Sequence, residues 1–330
     1  MKKDFDWKPP ALVIALMLLA LPLMGSFSTW LTLTVAGLAM GLIIFLIASG
    51  LTLVFGLMDV MNFGHGVFIA FGAYVATSVF AGLTDWSSAD SLWRNLAPVF
   101  LAMLAAMALA ALIGWAFERV LIRPVYGQHL KQILVTLGGA IIGQEAIKVV
   151  WGPTPIQIAL PETLRGSLLV ALGQDQAAIQ KYRVLAVVIG LVVFALMVFA
   201  LNRTKLGLLV RAGVQDREMV ESLGYRIRRL FVLVFVLGSA LAGLGGVMWG
   251  MFQQNVIPQI GDQMGTIIFI VIIIGGLGST VGCFVGALLV GLLNNYCGYL
   301  APIANAFSSI ALMVFILLWR PQGLYPVSNR

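Results

Sequence analysis

The sequence predicts an all-α bundle embedded in a membrane, with about ten crossing helices (eight to ten). Three observations carry that prediction. Of 330 residues, 61% are hydrophobic and 10% charged, whereas an ordinary soluble domain carries about 25% charged residues. Mean hydropathy is +1.01. Apolar runs near the roughly 20 residues of a spanning helix recur along the chain. A soluble enzyme and a disordered scaffold are excluded.

The runs fall at 11–29, 31–56, 66–83, 95–117, 133–150, 184–201, 230–251, 265–297 and 304–319. The first follows Met1-Lys2-Lys3 as in a signal peptide, but runs on into apolar sequence without a convincing cleavage site, so it reads as a retained span. The 265–297 run would be roughly 50 Å long as one helix, against a hydrocarbon core of about 30 Å. Gly275-Gly276-Leu277-Gly278-Ser279-Thr280 divides it, which brings the total to ten. The chain reads as a single membrane domain, with a first half at 1–150, an outer loop at 151–183 and a second half at 184–330.

Charge sets the orientation. The 202–229 loop holds Arg203, Lys205, Arg211, Arg217, Arg226, Arg228 and Arg229. With that loop in the cytoplasm, residues 1–10, 118–132 and the tail from Arg320 share its side, and these segments carry 15 of the 20 basic residues. The positive-inside rule is satisfied and both termini are expected in the cytoplasm. The same rule accounts for the net charge of +7 without nucleic acid. An odd number of spans per half predicts an inverted five-plus-five repeat, with a pathway at the midplane. The polar breaks Asp59-Val60-Met61-Asn62 and Asn255-Val256-Ile257-Pro258 are a thin match between the halves.

Asp59, Asn62, Gly64 and His65 stand between two apolar runs. They read either as a broken helix lining a solute path, where irregular backbone is tolerated at depth, or as a tight turn in water. Gly275, Gly276, Gly278 and Ser279 are further candidates for the path. Glu145 and Lys148, beside Gln144, are intramembrane ionisable groups and functional candidates, although their spacing favours a structural pair on one helix face. The pairs Gly37/Gly41, Gly139/Gly143, Gly246/Gly250 and Gly282/Gly286 are helix-contact steps.

In the 202–229 loop, Val214, Met219, Val220 and Leu223 predict the apolar stripe of a short amphipathic helix, with Arg217–Glu221 as an i,i+4 pair. Such a helix docks on a partner protein or lies on anionic lipid. A GxxxxGK[ST] phosphate loop and metal-binding spacings are missing, and Cys283 and Cys297 suggest neither a disulfide framework nor a metal site.

These residues together resemble the permeases of high-affinity branched-chain amino-acid ABC importers, of the LivH type. The likeness runs through Gly50–Gly66, Phe117–Val120 with Arg123-Pro124, Arg211–Gly224, Gly275–Ser279 and Arg320–Leu324. It implies a permease of the bacterial inner membrane, paired with a second homologous permease or with itself. Two cytoplasmic ATPases would hold the ATP and Mg, leaving this chain without a cofactor, and a periplasmic binding protein would deliver solute. Glu218 to Gly224 looks like the loop through which such permeases contact their ATPases, so Arg211, Asp216, Arg217, Glu218, Glu221 and Gly224 are expected to couple ATP hydrolysis to transport. Val234, Val236 and Leu237 replace the downstream residues of the fuller motif. Val67, where many relatives have an acid, weakens transfer of the exact solute, and similar proteins serve urea, short amides and aromatic acids. A proton-coupled transporter using Glu145 or Asp59 and a passive channel for a solute such as urea are the other readings.

Overall fold

The computed structural model describes residues 6–172, 175–215 and 217–326. It is a helical bundle: α1 Lys8–Ala20, α2 Phe27–Met58, α3 His65–Gly82, α4 Thr84–Ser87, α5 Leu92–Phe117, α6 His129–Trp151, α7 Lys181–Arg203, α8 Lys205–Gln215, α9 Arg217–Ser222, α10 Ile227–Gln253, α11 Ile260–Gly275, α12 Thr280–Leu300 and α13 Pro302–Trp319. Among the described residues eight helices are long and apolar enough to cross a membrane, with shorter apolar helices at Lys8–Leu23 and Ile260–Gly275. The chain is a multi-pass membrane protein.

Two boundaries differ from the sequence reading by five residues or more. The first helix ends near Leu23 rather than at 29, because Gly25 takes a left-handed φ of 72° and the Ser26 hydroxyl caps α2 by accepting from Thr29 N–H at 3.2 Å. The 265–297 run does divide at its glycines, but α11 starts five residues earlier, at Ile260. The outer loop also contains strand. β1 Ile156–Gln157 pairs antiparallel with β4 Asn255–Val256, and β2 Ser167–Leu172 with β3 Asp175–Gln180.

Apolar character all round a helix marks it for burial or for lipid, and the bundle uses both. Helices α2 and α10 are largely buried and pack on each other at the centre, flanked by α12 and α5. Helices α6, α7 and α13 are mostly exposed, presenting side chains such as Ile142, Val149, Phe199 and Phe315. The central contact depends on small residues. A Cβ added to Gly50 would stand 2.2 Å from the Gly238 carbonyl oxygen.

The halves repeat one device in opposite directions. Helix α2 ends on Asp59 (φ 52°) and α10 on Gln254 (φ 54°), the two non-glycine residues with positive φ among those described. Each is followed six residues later by the start of a helix, α3 at His65 and α11 at Ile260. The second residues of those helices, Gly66 and Gly261, abut so closely that a Cβ on Gly261 would lie 2.2 Å from the Gly66 carbonyl oxygen. The His65 ring binds the Ile47 carbonyl, eleven residues before the end of α2, or roughly 16 Å along its axis. Helix α3 therefore begins deep in the bundle, and α11 meets it there.

Asp6 and the segment Arg320–Tyr325 meet at one end of the bundle, called here the terminal end. Arg320 Nη2 reaches Asp6 Oδ2 at 2.8 Å, and the Tyr325 hydroxyl donates to the Asp6 carbonyl at 2.5 Å. The tail then closes α11: Leu324 N–H donates to Ile274 C=O at 2.8 Å and Tyr325 N–H to Gly275 C=O at 3.0 Å, satisfying carbonyls that a helix end leaves open. The Lys8 backbone N–H, and then Arg320, hold the Asp6 carboxyl below its ordinary value of 3.8. A carboxylate lowered in the folded state stabilises above its unfolded value and loses that contribution as pH falls through the folded one. Arg320→Glu, or acidification below about pH 4, is therefore expected to lower the protection factors of the Leu324 and Tyr325 amides, measured against the intrinsic exchange rate at the same pH. Unchanged protection would show that the ion pair does not hold the tail.

Candidate functional site

The sequence-named residues fall into three places. The break after α2 is mostly buried, so it is not a turn in water. Asp59 is half exposed, with its Oδ2 3.8 Å from Nε2 of His129 at the start of α6. The chain then climbs inward: Phe63 N–H donates to Thr136 Oγ1 at 3.2 Å, one to two turns up α6. Asn62 is buried; its Oδ1 accepts from Gly64 N–H at 3.0 Å, and its Nδ2 has no partner. Gly64 passes so close to α6 that a Cβ would lie 3.0 Å from the Thr136 carbonyl oxygen. Nε2 of His65 donates to the Ile47 carbonyl at 3.0 Å, so this ring ties α3 to α2 within the core.

The second place is the turn between α11 and α12. Gly276 (φ 95°) and Gly278 (φ 79°) both need left-handed backbone. Ser279 caps α12, its Oγ accepting from Gly282 N–H at 3.1 Å. Gly275 and Gly276 lie buried beneath the tail. This turn belongs to the terminal end of the bundle, away from the depth where α3 and α11 meet.

The third place is the 202–229 loop, which forms α8 and α9. Helix α9 ends in a Schellman arrangement: Tyr225 N–H donates to Val220 C=O at 3.3 Å, Gly224 N–H to Glu221 C=O at 2.9 Å, and Gly224 has φ 85°. The expected apolar stripe splits, with Val220 buried while Met219 and Leu223 are exposed. Asp216 lies outside the described residues, as do the side chains of Val214, Arg217 and Glu218, and with them the Arg217–Glu221 pair. Glu221 is exposed. Leu206, Leu209, Val220, Tyr225, Arg226 and Arg229 line a groove of about 410 Å³ beside Gly224.

The second and third places meet. Arg211 Nη1 donates to Asn202 Oδ1 at 3.0 Å, and both line a cavity of about 330 Å³ with Thr52, Gly56, Gly278 and Ser279. A basic, partly apolar loop thus stands against the end of the central helix α2 and the glycine turn of α11–α12. Motion of the loop can be passed to both.

The paired charges of α6 behave as their spacing indicates, with Lys148 Nζ 2.5 Å from Glu145 Oε1. Sequence reading missed Asp262, which accepts from Gln144 Nε2 at 2.5 Å. Starting the eighth run at 265 left this acid in a loop. Its signal was Pro258 followed by an acid and, a turn later, the apolar run at 267–274, the pattern of a helix start.

Residues 33–319 match the family described as branched-chain amino acid transport system / permease component. The chain is 30% identical over 292 residues to the high-affinity branched-chain amino acid transport system permease protein LivH of Salmonella typhimurium strain LT2, covering 87% of this chain and 92% of the relative. It is 30% identical over 298 residues to BraD of Pseudomonas aeruginosa, similarly described, covering 88% and 94%. It is 25% identical over 342 residues to LivM of Escherichia coli strain K12, covering 98% and 76%. No solved structure matches the chain. A multi-pass bundle matched by the family over residues 33–319, with relatives 30% identical over 87–88% of its length, settles the assignment: the chain belongs to the branched-chain amino-acid transport permease family.

Proposed function

We propose that this chain is a permease subunit of an ATP-driven importer in the bacterial inner membrane, and that its solute is a branched-chain amino acid. The observation that carries the reading is the match over residues 33–319, together with the names of the LivH and BraD relatives. Likeness to both LivH and LivM supports pairing with a second homologous permease. The terminal end faces the cytoplasm, since the arginine-rich loop, Lys8 and Arg320 gather there. The chain itself binds no cofactor; ATP and Mg sit on two cytoplasmic ATPases that grip α8 and α9, and a periplasmic binding protein supplies solute from the opposite side. When the ATPases close, the loop pushes on the end of α2 and on the α11–α12 turn, alternating access to a route at mid-membrane.

Reconstitution tests the reading. Proteoliposomes holding the assembled importer with its binding protein are expected to accumulate leucine only when ATP is present. Uptake by this chain alone under a pH gradient, or down the solute gradient without ATP, would overturn it. Titration of the binding protein with leucine, urea and short amides fixes the solute class.

A further inference from the structure

Asp262 lies in the first turn of α11, where that helix abuts α3. With Gln144 it lines a small cleft formed also by Gly66, Val67, Pro258 and Gly261. The position is within the membrane span: Gln144 stands seven residues before Trp151, roughly 10 Å from that end of α6. Asp262 is nonetheless exposed on the flank of the bundle. Below it the same face of α11 carries exposed Thr266, next to Gly265, which has open space beyond its Cα. It then reaches Phe269, whose ring centroid is 5.0 Å from that of half-exposed Phe63.

A carboxylate facing hydrocarbon is costly, and one amide hydrogen bond does not restore its hydration. Helix α13 shows what a lipid-facing surface looks like in this chain, with Phe307, Val314, Phe315 and Leu318 exposed and no ionisable residue from Pro302 to Trp319. The α6–α11 flank is different. Besides Asp262 it carries Lys148, one turn along α6 from Gln144 and bonded to Glu145. The flank thus offers the Asp262 carboxylate held by Gln144 and, one turn along α6 from that glutamine, the Lys148 ammonium on Glu145, above the partly exposed rings of Phe63 and Phe269. Those are the two signs and the apolar surface that an amino-acid zwitterion with a hydrocarbon side chain requires.

We propose that this flank is the chain's wall of the solute route, and that Asp262, oriented by Gln144, receives the cationic amino group of the passing amino acid. The proposal rests on the transport reading above and names the solute-contacting residue within it. Two measurements test it on the assembled importer. In a Cys297→Ser background, Thr266→Cys is expected to react with a charged, membrane-impermeant methanethiosulfonate about tenfold faster than Phe315→Cys on α13, and leucine with ATP should slow that reaction. Asp262→Asn is expected to lower ATP-driven leucine uptake by about tenfold at unchanged recovery of the complex, with partial rescue by Asp262→Glu.

Equal reactivity of Thr266→Cys and Phe315→Cys would overturn the route assignment, even if Asp262→Asn fails to fold. Loss of the second permease from the Asp262→Asn complex, with Thr266→Cys unreactive, would make the flank a subunit contact instead. Uptake above half of normal in Asp262→Asn would remove the role of that carboxylate. If the unmodified importer does not carry leucine, the solute reading falls, while the labelling rates still report whether water reaches α11.

Discussion

On the proposed function, Gly224→Trp is expected to release the ATPase subunits while leaving the membrane bundle inserted. Gly224 holds φ 85° at the end of α9, and a left-handed conformation costs an ordinary residue about 1–2 kcal/mol. The indole would also project beside the groove of about 410 Å³. Because the residue stands outside the spanning helices, insertion should be normal, and ATPase co-purified with the permease should fall by about tenfold or more as the docking surface is reshaped. Gly224→Asn, which tolerates left-handed backbone, should restore most of that recovery. Normal transport with ATPase at full yield in Gly224→Trp would remove α9 from the coupling route.

A large stability effect is expected at Gly50. Helices α2 and α10 approach so closely there that the methyl of Gly50→Ala would stand 2.2 Å from the Gly238 carbonyl oxygen. Backbone, unlike the tip of a flexible side chain, cannot turn aside. The two central helices must separate, and overpacking of this kind costs about 1–3 kcal/mol, occasionally more. Gly138→Ala is the matched control, in a helix with open space at the site, where lower backbone freedom in the unfolded chain makes the change neutral or mildly favourable. Thermal unfolding of the purified permease in detergent distinguishes them: a marked fall in midpoint for Gly50→Ala and little change for Gly138→Ala. Equal midpoints would show that α2 and α10 are not in van der Waals contact at this point.

Much of the architecture was legible because lipid simplifies the code. Where every spanning segment must satisfy its own backbone, apolar run length and basic asymmetry suffice to count helices, and the glycine break at 275–278 was visible as a run too long for one crossing. The errors share a cause. Gly25 and Ser26 ended a helix inside an uninterrupted apolar stretch, and Asp262 was assigned to a loop because hydropathy penalises an acid that a neighbouring helix can hydrogen-bond. Local composition does not contain Gln144, which lies 118 residues away from its partner. His65 illustrates the converse. As an isolated imidazole between apolar runs it suggested solute contact, whereas the fold gives its Nε2 to the Ile47 carbonyl. The correspondence of Asp59 with Gln254 in backbone angle and spacing falls where the polar breaks at 59–62 and 255–258 gave only a thin match, because residue type carries little of it.

The stitching of Leu324 and Tyr325 onto α11 bears on how the protein is made. Those residues leave the ribosome after every spanning helix has been synthesised, so a nascent chain halted at Trp319 holds the complete set of helices with the last carbonyls of α11 uncapped. Capping of α11 therefore waits until Leu324 and Tyr325 have emerged, and a substitution that displaces them would leave every helix made but this helix end open.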